Sequence, residues 1–121
     1  MLADRMDQYR ADCWLVNTGW IGGKYGKGKR CPLKYTRAII DQIHNGTLAK
    51  AEYQKFEVFD LNIPKTVSGV PSELLHPRTA WNDDKAFSAE LQKLAFLFQD
   101  SFTRYEQDVS SGVRAAGPKR Q

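Results

Sequence analysis

The sequence predicts an α/β fold, and three observations carry that reading. Cys13-Trp14-Leu15-Val16 is an unbroken apolar run, the pattern of a strand buried on both faces. A loop rich in glycine and cations follows, and then a helical pattern, so a strand feeds a helix through a turn. Near the far end Phe87, Leu91, Leu94, Phe98, Phe102 and Tyr105 recur at spacings of four, three, four, four and three, which predicts a long amphipathic helix.

Taken in order, Leu2, Met6 and Tyr9 stand at helical spacing among Asp4, Arg5, Asp7 and Arg10, predicting a short amphipathic helix over residues 2–11. The buried strand over residues 13–16 ends at Asn17-Thr18-Gly19. From Gly22 to Arg37 there are four glycines, six cations (Lys24, Lys27, Lys29, Arg30, Lys34, Arg37) and no acid. Such a backbone ahead of a helix suits an anion, because unpaired N–H groups and the helix dipole both favour negative charge there. Pro32 fits the first position of the next helix; Leu33, Ile39, Ile40 and Ile43 share one side of it, and Asn45-Gly46 ends it.

Between Thr47 and Asn62 short runs containing Tyr53, Phe56, Val58, Phe59 and Leu61 predict one or two short strands. Residues 63–81 hold Pro64, Pro71, Pro77 and Ser68-Gly69, which predicts an ordered loop with one helical turn at Ser72 to Leu75. Asn82-Asp83-Asp84 supplies an N-cap and first-turn acids for the long helix, expected from about Asp83 to Glu106, with Phe96 and Leu97 outside its stripe. Residues 110–121 are small, polar and basic and predict a frayed tail.

A length of 121 residues suits one domain or a piece of a larger protein. The net charge of +4 comes from the glycine-rich stretch and the Lys119-Arg120 tail, so it is weak evidence for a nucleic-acid partner. Two cysteines, Cys13 and Cys31, are too few for a disulfide scaffold or a four-ligand zinc site. No apolar run approaches the roughly 20 residues of a membrane span, and no leader pattern opens the chain, so a cytoplasmic location without membrane contact is the expectation.

Gly23 to Arg30 nearly matches the phosphate-binding pattern Gly-x-x-x-x-Gly-Lys-[Ser/Thr]. It fails at the last position, where Arg30 replaces the hydroxyl that would hold Mg²⁺, and Cys31-Pro32 intervenes before the helix. Thr36 falls on the apolar face near the helix start, where its hydroxyl could touch a ligand; periodicity alone favours a bond to its own helix carbonyl. His44 and His76 have no ligand-spaced neighbours, and Asp83, Asp84 and Glu90 suit helix-start and surface charges. No Ser-His-Asp or Cys-His arrangement can be assembled.

Five motifs stand in a telling order: Trp14-Leu15-Val16-Asn17-Thr18-Gly19-Trp20, Gly26-Lys27-Gly28-Lys29-Arg30, Thr36-Arg37-Ala38, Gly69-Val70-Pro71 with Leu75-His76-Pro77-Arg78, and Ala115-Ala116-Gly117-Pro118-Lys119. From about residue 12 onward the chain resembles the C-terminal end of ATP-dependent phosphoenolpyruvate carboxykinase. The resemblance implies the C-terminal part of that family's nucleotide-binding domain. It also implies a role in converting oxaloacetate and ATP to phosphoenolpyruvate, ADP and CO₂ in gluconeogenesis, with Mg²⁺ and Mn²⁺ as cofactors.

The family's contacts to the ATP base and ribose match Arg30, Cys31 and Thr36 here. Its phosphate loop, its Mn²⁺ ligands and its oxaloacetate-binding arginines lie upstream of the matched region. The segment is therefore expected to have no catalytic residues, no metal ligands and no activity alone, and to work with the remainder of a carboxykinase chain. Cys31 stands where the family is usually aliphatic, and His76 where an aspartate is common. A reading of another class is a small basic nucleic-acid-binding module, with Lys24 to Arg37 on phosphates and Tyr25 and Tyr35 stacking on bases.

Overall fold

The structure, a computed structural model, describes residues 2–119; Met1, Arg120 and Gln121, and with them the Arg120 share of the basic tail, lie outside the described residues. Helices and two β-hairpins alternate along the chain. The elements are α1 (Leu2–Tyr9), β1 (Trp20–Ile21), β2 (Lys29–Arg30), α2 (Leu33–His44), β3 (Tyr53–Phe56), β4 (Leu61–Pro64), α3 (Asp84–Phe102) and α4 (Ser111–Ala115). Single 3₁₀ turns occupy Leu48–Lys50, Ser72–Leu74, Pro77–Ala80 and Glu106–Asp108. Both sheets are two-stranded and antiparallel, β1 with β2 and β3 with β4, a mixture compatible with the α/β class.

Two small cores hold these pieces. Phe56 and Val58 of the second hairpin pack on Phe87, Leu91 and Ala95 of α3, with Phe59, Ile63 and Trp81 around them. Leu48, Val67 and Val70 form the other, against Tyr35, Ala38, Ile39 and Ile43 of α2 and the side chain of Trp14. Burying Val58 requires an unusual turn, because this β-branched residue sits at φ +67, a conformation that persists only when packing holds it.

The local rules explain the helix boundaries. Asp83 caps α3 by accepting a hydrogen bond from the Ala86 N–H at 3.0 Å. Gly46, at φ +78, follows the end of α2. Pro32 is the N-cap of α2, one place before the position expected for it; its ψ of 133 keeps it extended, and no side chain caps the helix.

The apolar run Cys13–Val16 is not a buried strand. It has no regular structure, and Leu15 is 86% exposed. A run of this kind needs strands on either side to satisfy its backbone, and none of the described strands pairs with it. Strand structure begins later, at Trp20, where the partner β2 is available.

α1 stops at Tyr9 with Arg10 at φ 47 and buries no residue. α3 ends at Phe102, short of Glu106; of its predicted stripe Phe87 and Leu91 are buried, together with Ala95 outside the stripe, while Leu94 and Phe98 remain exposed. The helix runs on past the small hairpin that covers its first half. Within the terminal stretch, residues 110–119 hold α4, capped by Ser110, with Lys119 N–H donating to the Val58 carbonyl at 2.7 Å and Gln99 Nε2 to the Pro118 carbonyl at 2.7 Å. Among the described residues no helix is long and apolar enough to cross a membrane.

Candidate functional site

The glycine-rich stretch is the connection of the β1–β2 hairpin, with Trp20 opposite Arg30 and Ile21 opposite Lys29. Two of its glycines, Gly22 and Gly28, are required by close backbone approach. A Cβ on Gly22, which sits at φ +78, would stand 2.6 Å from the Ala80 carbonyl oxygen. A Cβ on Gly28 would stand 2.5 Å from the Gly23 oxygen and 2.7 Å from that of Ile21. The N–H groups of Lys27 and Gly28 both donate to the Lys24 carbonyl, at 2.9 and 2.8 Å. Those two amides are spent inside the hairpin and are not offered to an anion.

Two further contacts seat the hairpin. Lys24 Nζ pairs with Glu90 Oε1 of α3 at 2.6 Å, a hydrogen bond that holds the Glu90 carboxyl below the usual carboxylate range. Tyr25 meets Trp20 edge-on at 5.0 Å between ring centroids. Tyr35 instead lies under the Lys34 ammonium, 4.9 Å from the ring centroid, and packs into the second core. The two tyrosines that a nucleic-acid reading needs as stacking groups thus serve different contacts.

Arg30, Cys31 and Thr36 lie where this hairpin turns into α2. Cys31 precedes a proline, which disfavours a helical backbone at that position. Its N–H donates to the Gly19 carbonyl at 3.0 Å and so carries the ladder one residue beyond Arg30. Cys31 Sγ then lies 3.9 Å from Thr36 Oγ1, joining two of the three candidate residues. Thr36 is 8% exposed, the one buried polar residue among those described. Its hydroxyl meets the thiol and not its own helix carbonyl, contrary to the expectation from periodicity. Arg30 is exposed, and its guanidinium forms no ion pair or hydrogen bond among the described residues.

This arrangement offers an exposed cation at the end of β2, unpaired among the described residues, and a weakly polar thiol–hydroxyl pair at the helix start. It can bind and orient a polar, flat ligand; it holds no paired acid and base and no activated nucleophile. Among the described residues no three His, Cys, Asp or Glu side chains gather as metal ligands would.

Sequence reasoning missed the interactions of Arg78. Its Nε and Nη2 both donate to Glu57 Oε1, at 2.7 and 2.5 Å, and its Nη1 donates to Asp84 and, at 3.2 Å, to Ser88 Oγ. The guanidinium also lies 4.7 Å from the centroid of the Phe87 ring. Asp84 and then Glu57 hold it in its charged form, so the residue clamps the second hairpin and the 77–80 turn to α3. Its only sequence signal is its place in Leu75-His76-Pro77-Arg78. His76 caps that turn: its Nδ1 accepts from the Arg78 N–H at 3.3 Å, the service an aspartate gives, and its ring stands edge-on to Phe56.

A family model described as phosphoenolpyruvate carboxykinase matches residues 1–73. The chain is 54% identical over 119 residues to phosphoenolpyruvate carboxykinase (ATP) of Emericella nidulans, covering 98% of this chain and 20% of that protein. It is 51% identical over 120 residues to the Neurospora crassa protein of the same name, again 98% of this chain and 20% of the relative. With the Zea mays protein of that name it shares 48% identity over 125 residues, 98% of this chain and 19% of the relative. The chain spans about a fifth of the length of the curated relatives it matches. These matches give no support to a nucleic-acid-binding module.

Proposed function

The chain belongs to the phosphoenolpyruvate carboxykinase (ATP) family, and from that premise we propose that it forms the adenine and ribose wall of an ATP site. The enzyme it serves converts oxaloacetate and ATP to phosphoenolpyruvate, ADP and CO₂ in gluconeogenesis. The chain acts as a partial C-terminal domain, the end of the nucleotide-binding domain, and works with the remainder of a carboxykinase chain in the cytoplasm. Arg30 stacks on or bonds the edge of the base, and Cys31 and Thr36 line the same side. The enzyme's Mg²⁺ and Mn²⁺ ligands and its oxaloacetate site belong to the part not matched here. This segment therefore binds and orients but does not catalyse.

The observation that carries this reading is the Cys31–Thr36 contact at the start of α2, directly after Arg30, whose guanidinium is exposed and unpaired among the described residues. A guanidinium face on an aromatic base contributes about 1 to 2 kcal/mol when desolvated. Phosphoryl transfer needs metals and cationic clamps on the β- and γ-phosphates, which this group does not provide.

Cysteine alkylation tests it. A chimera in which this chain replaces the matched fifth of the Emericella nidulans enzyme is treated with a thiol reagent with and without ATP. ATP slows modification of Cys31 and leaves the rate at Cys13 unchanged. Equal rates at Cys31 with saturating ATP overturn the proposal.

A further inference from the structure

The β1–β2 hairpin bridges the two cores. Its last residue, Arg30, is followed by Cys31 and Pro32, which lead into α2 and so to the second core. Pro32 has no N–H to donate and no side chain caps α2, so the start of the helix does not fix the direction in which the hairpin projects. The far end of the hairpin rests on elements of the first core. There the Gly22 backbone lies against the Ala80 carbonyl of the 77–80 turn, and Lys24 Nζ reaches Glu90 Oε1 of α3 at 2.6 Å. Among the described residues this pair is the one ion pair or hydrogen bond that joins residues 20–30 to another element. Inside the hairpin, Trp20 stands opposite Arg30 in the ladder, and its ring meets that of Tyr25, the residue after Lys24, at 5.0 Å. A displacement at Lys24 is therefore passed through the hairpin to Arg30.

We infer that Lys24 and Glu90 are a positioning pair, whose contact sets the angle of the hairpin and through it the place of Arg30 relative to the Cys31–Thr36 contact. The inference rests on the reading that those three residues face ATP. The pair is solvent-exposed, at 59% for the Lys24 side chain and 36% for that of Glu90, so it adds little to stability. The population of correctly placed hairpins cannot shift by more than the interaction that selects it. Loss of the attraction therefore raises the ATP requirement by about 2- to 5-fold, and reversal of one charge by about 3- to 10-fold.

Charge exchange in the chimera described above tests it, read as the ATP concentration that half-protects Cys31 from alkylation. Lys24→Glu and Glu90→Lys each raise that concentration by about 3- to 10-fold, and the milder Glu90→Gln by about 2- to 5-fold. The double variant with the two charges exchanged returns it to within about 2-fold of the native value. KM for ATP follows the same order while kcat holds within about 2-fold. A pair that only steadied the fold would instead lower the amount of active enzyme, and so kcat, at unchanged KM. Lys65→Glu, which breaks the exposed ion pair with Glu52 and changes the net charge as Lys24→Glu does, leaves the ATP requirement unchanged.

Single variants that protect Cys31 at the native ATP concentration overturn the inference, as does a double variant no better than the singles. The two single reversals change the net charge in opposite directions, so effects of opposite sign mean long-range attraction of ATP and overturn it too. An effect of Lys65→Glu equal to that of Lys24→Glu does the same. A native chimera whose Cys31 gains no protection from ATP removes the nucleotide reading and this inference together, whereas protection that none of the variants moves removes the positioning pair alone.

Discussion

Gly22→Ala separates a glycine needed for close packing from one needed only for its backbone angle. At Gly22, φ is +78, and an added Cβ would stand 2.6 Å from the Ala80 carbonyl oxygen. Holding alanine at a left-handed angle costs about 1 kcal/mol, and moving the 77–80 turn away from the methyl group adds a further 1 to 2 kcal/mol or so. A total of about 2 to 3 kcal/mol corresponds to a fall in melting temperature of roughly 6 to 15 °C for a chain of this size. Gly26 is the control, because it sits at φ +87 with nothing within 4 Å of the added carbon. Gly26→Ala therefore carries the angle alone and lowers the midpoint by about half as much or less. Thermal and urea unfolding of the three proteins read the difference. Equal losses in the two variants, or a Gly22→Ala loss under about 2 °C, would refute the account of the hairpin as seated on the 77–80 turn.

Other outcomes follow from the same structure. Phe87→Ala empties the centre of the first core, where Phe56 and Trp81 meet the ring, and lowers stability by about 3 to 5 kcal/mol in urea unfolding. Thr36→Val keeps the buried shape and removes the hydroxyl; it leaves stability within about 1 kcal/mol and raises the ATP concentration needed to protect Cys31 in the chimera about 3- to 10-fold. Because the Glu90 carboxyl is held below its ordinary value of 4.5 by Lys24, its contribution is present above that value and is lost as pH falls through the lowered folded value. Melting curves of the native chain and Glu90→Gln should therefore differ near neutral pH and converge in acid, and a constant difference would remove the ion pair from the account.

Local chemistry was legible where it acts within a few residues. The Asp83 cap, the Asn45-Gly46 stop and the strands near Tyr53 and Leu61 are written in residue types whose preferences need no distant partner. The candidate trio was legible only through the ordered motifs, because an exposed arginine, a thiol and a threonine carry no periodic signal of binding. Arg78 was hidden for the opposite reason: its partner Glu57 is 21 residues away, and only folding brings the pair together.

The sequence by itself determined where helices begin, where the chain turns, and to which family it belongs, since these depend on local torsions and on the order of motifs. Tertiary structure decided what the same residues are used for. The glycines that composition offers to an anion are consumed by the approach of Gly22 to Ala80 and of Gly28 to Ile21 and Gly23. Of the six-residue stripe predicted for the long helix only Phe87 and Leu91 are buried, because the hairpin facing it is short. The apolar run at Cys13–Val16 carries the pattern of a buried strand yet lies open. Burial is a property of neighbours, and a sequence pattern can state the need for them without supplying them.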